Sequence, residues 1–298
     1  MSILKTDQSR FRGIADYKYH AHFLDYEGAQ MHYIDEGQSE DIFLALHGQP
    51  SWSYLYRKFI PVLDGYRFIA PDLIGFGKSD KYQNWQDYSF EKHLRSLELL
   101  VDSLKIENIN LIVQDWGGLL GLSLLGQRPE LFRSVTILNT YLPKGKSLPL
   151  AYRLWKLYCR YHPSLPVGKI IQRFTYSKLS KEVIDAYNAP FPDKLSKTGP
   201  KSFPALVPSN KQDPALPYLL KAREVLSNWT KPALVLFSAN DPVFSGIEDF
   251  FMNKIPSCKN QPKIIIQEAG HFLQEDKGEE IANYIKLFME GKLPSRQY

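Results

Sequence analysis

Cysteine is scarce in this chain of 298 residues: there are two, Cys159 and Cys258. Two cysteines without framework or metal spacing exclude a disulfide scaffold and a cysteine-built metal centre, and fit a reducing compartment. Long apolar runs are also missing. No stretch approaches the ~20 consecutive apolar residues that a membrane helix needs. The opening MSILKTDQSRFR holds no long apolar segment of the kind found in secretory leaders. These absences predict a cytoplasmic protein without a membrane partner. Nor is there a dense run of Lys and Arg. The net charge of +5 and the pI near 8.9 come from scattered residues, the pattern of a solvated surface and not of a nucleic-acid face. The stretch LIGFGKSD has two glycines and a lysine but not the spacing of a phosphate-binding loop.

What is present is the composition of a globular protein able to bury a sizeable core: 44% hydrophobic, 23% charged, and rich in aromatics at 13%. Short apolar runs alternate with helical patterns. FLALH (43–47), RFIAPD (67–72), INLIVQD (109–115), SVTILN (134–139), ALVLFS (233–238) and KIIIQE (263–268) read as strands. Several are apolar at nearly every position, as strands of a parallel sheet covered on both faces are. Residues 90–104 place Leu94, Leu97, Val101 and Leu104 on one helical face, and 279–290 repeat that pattern. The alternation predicts an α/β fold with a mostly parallel sheet. From about 141 to 212 the rhythm breaks. This segment is rich in Tyr, Pro and Lys and lacks strand character, so it reads as short helices joined by proline turns. The expected organisation is a core of 1–140 and 213–298 with an inserted helical cap at 141–212. No internal repeat or low-complexity tract occurs.

In such a sheet, ligands collect at the carboxyl ends of strands. His47-Gly48-Gln49-Pro50, Asp115-Trp116, Asp241 and His271 all fall at such ends. Asp115, Asp241 and His271 follow the chain order nucleophile, acid, histidine of the α/β-hydrolase triad, and no G-x-S-x-G competes with Asp115 for the nucleophile position. The residue type matters. Serine attacking a saturated carbon would end as an ether. A carboxylate attacking it forms an ester, which water can split. His271 would activate that water, and Asp241 would accept the other ring N–H and fix the tautomer. His47 reads as a brace of its loop, and His20, His93 and His162 as ordinary histidines. Taken alone, Asp115 could equally be a helix N-cap.

The motifs HGQPSWSYLYR, PDLIGFGKSD, VQDWGG, FSANDPVF and AGHFLQED resemble those of haloalkane dehalogenases, α/β-hydrolase enzymes, and the resemblance spans nearly the whole chain. It implies hydrolytic cleavage of a carbon–halogen bond to alcohol, halide and a proton, through an alkyl ester on Asp115, as in detoxification. It implies no cofactor and no metal. The partners it implies are a small apolar halogenated substrate, water and halide, with the protein a monomer or weak homo-oligomer. The backbone N–H groups of Gln49 and Trp116 would form the oxyanion hole. The indole N–H groups of Trp116 and of Trp155 in YRLWKLY would hold the halide, as in the two-tryptophan branch, which Asp241 and Asn139 also match. Family members that lack the second tryptophan place an Asn where Gln49 stands, so a halide contact from the Gln49 side chain is a further option. Trp52, Trp85 and Trp229 read as packing. Phe191, Phe203, Pro204 and Phe272 are candidate apolar walls. Two rivals stay open: an epoxide hydrolase, with phenolic donors among Tyr152, Tyr158, Tyr161, Tyr176 and Tyr187, and a catalytically idle ligand receptor on the same scaffold.

Overall fold

The computed structural model describes residues 1–259 and 261–293. Eight strands form the main sheet: β1 (His22–Tyr26), β2 (Ala29–Glu36), β3 (Ile42–Leu46), β4 (Arg67–Pro71), β5 (Ile109–Gln114), β6 (Phe132–Leu138), β7 (Ala233–Ser238) and β8 (Ile264–Ile266). Their order is β8-β7-β6-β5-β3-β4-β2-β1. Pairing is parallel from β8 to β4, and antiparallel for β2 with β4 and with β1. Every residue of β3, β5 and β7 is buried, which is why these strands are apolar at nearly every position.

The β1–β2 hairpin is the one part of the sheet not expected from the sequence. HFLDY alternates between partly and fully exposed positions before a buried Tyr26, AQMHYIDE mixes buried with partly exposed ones, and both carry too many polar groups to stand out. The signal for it lies in the turn. Glu27 and Gly28 have φ of 52° and 83°, the left-handed pair that a tight hairpin requires.

Helices α1 (Phe90–Leu104) and α2 (Trp116–Gln127) follow β4 and β5. The Ser89 hydroxyl caps α1 by accepting Lys92 N–H at 3.2 Å, an interaction typically worth ~1 kcal/mol. Between β6 and β7 the chain makes no strand among the described residues. It forms α3 (Leu150–Tyr161), α4 (Val167–Phe174), α5 (Lys181–Asn188), α6 (Thr198–Ser202), a single turn at Phe203–Leu206 and α7 (Leu216–Ser227). α7 returns to the sheet and lies so close along α2 that a Cβ at Gly126 would fall 2.8 Å from Ala222 Cα. α8 (Glu248–Lys254) and α9 (Leu273–Met289) are the last helices among the described residues, α9 starting six residues before the periodic pattern that announced it. No described helix is long and apolar enough to cross a membrane.

A buried ionic clasp ties α5 to α9. The Arg57 guanidinium meets both carboxylate oxygens of Glu275, one at 2.8 Å, and the Tyr187 hydroxyl donates to the same carboxylate. All three side chains are buried. Breaking one partner of such a group typically costs about 3–5 kcal/mol, because a desolvated charge is left unpaired.

Candidate active site

β5 ends at Gln114 and α2 begins at Trp116, leaving one residue for the turn. That residue, Asp115, has φ 49° and ψ −119°, a backbone region that side-chain-bearing residues rarely occupy. The turn closes because its neighbours have no Cβ. One built on Gly117 would lie 2.0 Å from Leu46 O, and one on Gly118 would lie 2.0 Å from Thr140 Oγ1. The strained turn lifts the carboxylate off the sheet edge, toward the loops after β3 and β8.

Three sequence-predicted groups converge there. The Gln49 N–H donates to Asp115 Oδ1 at 2.8 Å. His271 Nε2 lies 3.6 Å from Asp115 Oδ2, and its Nδ1 lies 3.0 Å from Asp241 Oδ2. Asp241 is buried, and its second oxygen accepts Val243 N–H at 2.7 Å. Burial alone would push the His271 pKa down. The Asp241 carboxylate, aided by Asp115, overrides it and pushes the imidazole up to about 10. The Trp116 N–H opens α2 and has no hydrogen-bond acceptor among the described residues, as is usual for the first turn of a helix.

The loops are braced from below. His47 Nδ1 bonds Gly48 O at 3.0 Å and Nε2 accepts Leu73 N–H at 3.0 Å, so its ring is neutral and fully used in holding its loop. Asn139 spans the end of β6 to Ser238 and to the carbonyls of Gly270 and His271. Asp276 accepts the N–H groups of Gly270, Tyr176 and Ser177, and His271 N–H donates to Phe174 O at 2.7 Å. The histidine loop is thus anchored to the segment that follows α4.

Of the apolar candidates, Phe191, Phe203, Pro204 and Phe272 are all buried. Phe203 packs edge-on against Trp116 at 4.7 Å between ring centroids, and Phe272 packs against His271 at 4.9 Å. Phe191 stands further out, against Phe76 at 6.5 Å. Trp155 is not in this first ring of side chains. It packs with Tyr158 and Phe174, and Phe174 in turn lies 6.3 Å from His271. The Gln49 side chain turns to the inserted helices, its amide donating to Pro200 O at 3.0 Å. Of the other tryptophans, Trp52 is buried between Tyr17 and Tyr54, Trp229 donates to Pro232 O, and Trp85 lies beneath Arg160.

Gln114 had no assigned role. Its amide nitrogen donates to His271 O at 3.1 Å and lies 3.3 Å from His271 Nε2. Its Oε1 is buried without a described partner. A Cβ on Gly48 would fall 2.7 Å from that oxygen and 2.6 Å from Asp115 Oδ1, so the two acceptors flank one point. The only sequence signal was a polar residue ending a mostly apolar buried strand.

Residues 41–278 match the family described as the alpha/beta hydrolase fold. A haloalkane dehalogenase from Psychrobacter cryohalolentis is 45% identical, with 97% of this chain and 98% of that protein covered. One from Mycolicibacterium paratuberculosis is 40% identical, with 98% and 100% covered. Among solved structures, a tetrameric haloalkane dehalogenase from Paraglaciecola agarilytica superposes with a TM-score of 0.91 at 37% identity, covering 95% of this chain and 97% of that one.

Proposed function

Because the chain belongs to the haloalkane dehalogenases of the α/β-hydrolase fold, we propose that Asp115 displaces halide from a saturated carbon and carries the alkyl group as an ester until His271 turns water against it. The observation that carries this reading is the carboxylate on the strained turn, with one oxygen held by Gln49 N–H and the other facing an imidazole backed by Asp241. The free oxygen, Oδ2, attacks. Water then adds to the Asp115 carboxyl carbon, giving its proton to His271 Nε2. The charge that develops on the old carboxyl oxygen meets the N–H groups of Gln49 and Trp116. One such donor is typically worth about 3–4 kcal/mol in rate. Gln114 Oε1, beside Asp115, is an acceptor for the second proton of that water.

The leaving halide needs donors in an apolar site, since an unpartnered buried charge is costly. Trp116 and Trp155 are the pair assigned to it. Neither indole N–H donates to another described residue, whereas Trp229 spends its own on a carbonyl. Phe203 and Phe272 form the near walls, Pro204 and Phe191 the outer ones. The cap comprises 141–212, inserted in a core of 1–140 and 213–298, of which residues 260 and 294–298 lie outside the described residues. Haloalkane and water are the reactants. The tetrameric relative makes a homo-oligomer the favoured assembly.

An epoxide hydrolase would need phenols aimed at the substrate oxygen. Of the five tyrosines named above as candidate donors, Tyr187 is spent on Glu275, while Tyr158, Tyr161 and Tyr176 are exposed. The ionisation of Tyr152 is opposed first by burial and then by the Asp115 carboxylate, and its hydroxyl donates to Pro204 O at 3.4 Å. Bromide release from 1,2-dibromoethane, measured beside styrene oxide hydrolysis, tests the assignment. Turnover of the epoxide without bromide release would overturn it, and no turnover of either would favour the idle receptor.

A further inference from the structure

Charge is unevenly spread along the chain. Residues 131–181 hold ten of the 37 Lys and Arg and none of the 32 Asp and Glu. The remainder, 27 against 32, is acidic by five, although the whole chain stands at +5. No dense cationic run marks the segment; the asymmetry lies in its missing acids. Other elements do not make up the deficit. Arg133 pairs with Asp41 and Lys181 with Asp185, but Arg153, Lys156, Lys169 and Arg173 meet no carboxylate among the described residues.

The same region holds an unusual share of exposed apolar side chains. Six of the fourteen large ones exposed among the described residues lie between 150 and 176, less than a tenth of the chain. Leu150, Leu154, Leu157 and Tyr161 are spaced as one face of α3, and are 68%, 57%, 55% and 76% exposed. Beside them, between α3 and α4, a recess of about 280 Å³ is lined by Trp155, Tyr158, Ile170 and Phe174, with Lys169 and Arg173 as its cationic members.

We propose that this face of α3 and α4 docks the protein on an anionic lipid surface, with the leucines entering the headgroup layer and the cations lying over it. Apolar side chains framed by Lys and Arg are the composition of an interfacial helix. A nucleic acid would use the cations and gain nothing from three exposed leucines. A second copy docked face to face would set the four unpaired cations against their own images, because a two-fold contact joins a patch to itself. The placement also has a use. Apolar haloalkanes partition into lipid, and Phe174 stands in the recess on one side and beside His271 on the other.

The test is co-sedimentation of the full chain with vesicles of phosphatidylethanolamine and phosphatidylglycerol, against vesicles of phosphatidylcholine. Binding is expected to the anionic vesicles only, and to weaken as salt rises. Arg153→Gln and Lys169→Gln should each weaken it about fivefold. Leu154→Ser with Leu157→Ser should weaken it about tenfold or more. Bromide release from 1,2-dibromoethane in plain buffer should stay unchanged in all these variants, which also reports that they fold. Equal binding to both vesicle types, no binding, or binding indifferent to both sets of changes would overturn the proposal. So would a sedimentation equilibrium in which the leucine changes dissociate an oligomer, which assigns the face to a second copy, or duplex DNA binding that the arginine and lysine changes abolish and the leucine changes leave intact. Vesicle binding involves no turnover, so this outcome is independent of the roles given to Asp115 and His271.

Discussion

Replacing His271 with phenylalanine should split the reaction in two. The ring would fit, because His271 already sits among Phe272, Phe244 and Phe174 at 4.9, 5.6 and 6.3 Å. Asp115 would keep its hold on Gln49 N–H. A carboxylate needs no base to attack, so halide should leave once per active site. Water, lacking a base, should then attack the ester about 10²–10⁴-fold more slowly, the usual contribution of general-base catalysis. Rapid mixing with 1,2-dibromoethane should show a bromide burst equal to the enzyme concentration, and mass spectrometry should find the alkyl group on the peptide carrying Asp115. The change also strands Asp241 without its partner at 3.0 Å, which can cost about 3–5 kcal/mol of stability. His271→Gln, which keeps a donor for Asp241, separates that loss from the kinetic one. Multiple turnover by a folded variant, or unmodified protein mass after incubation with a substrate that the wild type consumes, would refute the covalent mechanism.

Trp155→Phe should weaken bromide quenching of tryptophan fluorescence by about ten- to a hundredfold, the loss of one charge-assisted hydrogen bond of roughly 1.5–3 kcal/mol; unchanged bromide affinity removes Trp155 from the halide site. Glu275→Gln should lower unfolding free energy by about 3–5 kcal/mol in urea titrations, because Arg57 stays buried without its counter-charge; a loss below about 1 kcal/mol would show the clasp to be dispensable. The His271 pKa rises on folding from 6.5 to about 10, so its contribution to stability is complete below pH 6.5 and is lost as pH climbs through 10. Thermal midpoints should therefore fall more steeply over that window in the wild type than in His271→Phe, and parallel curves would contradict the raised pKa.

The buried strands were legible because a strand covered on both faces has no polar alternation to confuse it. β3, β5 and β7 are such strands, and their ends located Asp115 and Asp241. The half-solvated hairpin β1–β2 was illegible for the opposite reason, with its register set by a turn instead of an apolar run. Legibility of the site stopped at residues whose role depends on contacts distant in sequence. Gln49 N–H could be named from its motif, but its side chain's reach to Pro200, 151 residues on, could not. Gln114 lay in plain view beside Asp115, yet its link is to His271, 157 residues away. The place of Trp155 behind Phe174 depends on how four short helices pack, which periodicity does not encode.

The two carboxylates around His271 pose a difficulty that the proposed mechanism itself resolves. A base charged at neutral pH cannot take a proton from water. At rest His271 faces Asp241 at 3.0 Å and Asp115 at 3.6 Å, and together they hold its proton on. A serine enzyme could not start from that state, because its nucleophile must first be deprotonated. An aspartate can, because it attacks as the anion it already is. Alkylation then turns Asp115 into a neutral ester. A unit charge 3.6 Å away is worth about 4–5 kcal/mol at an effective dielectric near 20. Its loss drives the imidazole back toward the neutral form, and the Gln114 amide, donating from 3.3 Å, favours the same form. The base therefore comes into existence only once there is an ester for it to act on. The proton it sheds at that moment is released ahead of ester hydrolysis, so at neutral pH proton release to an indicator dye should keep pace with halide in the first turnover instead of trailing it.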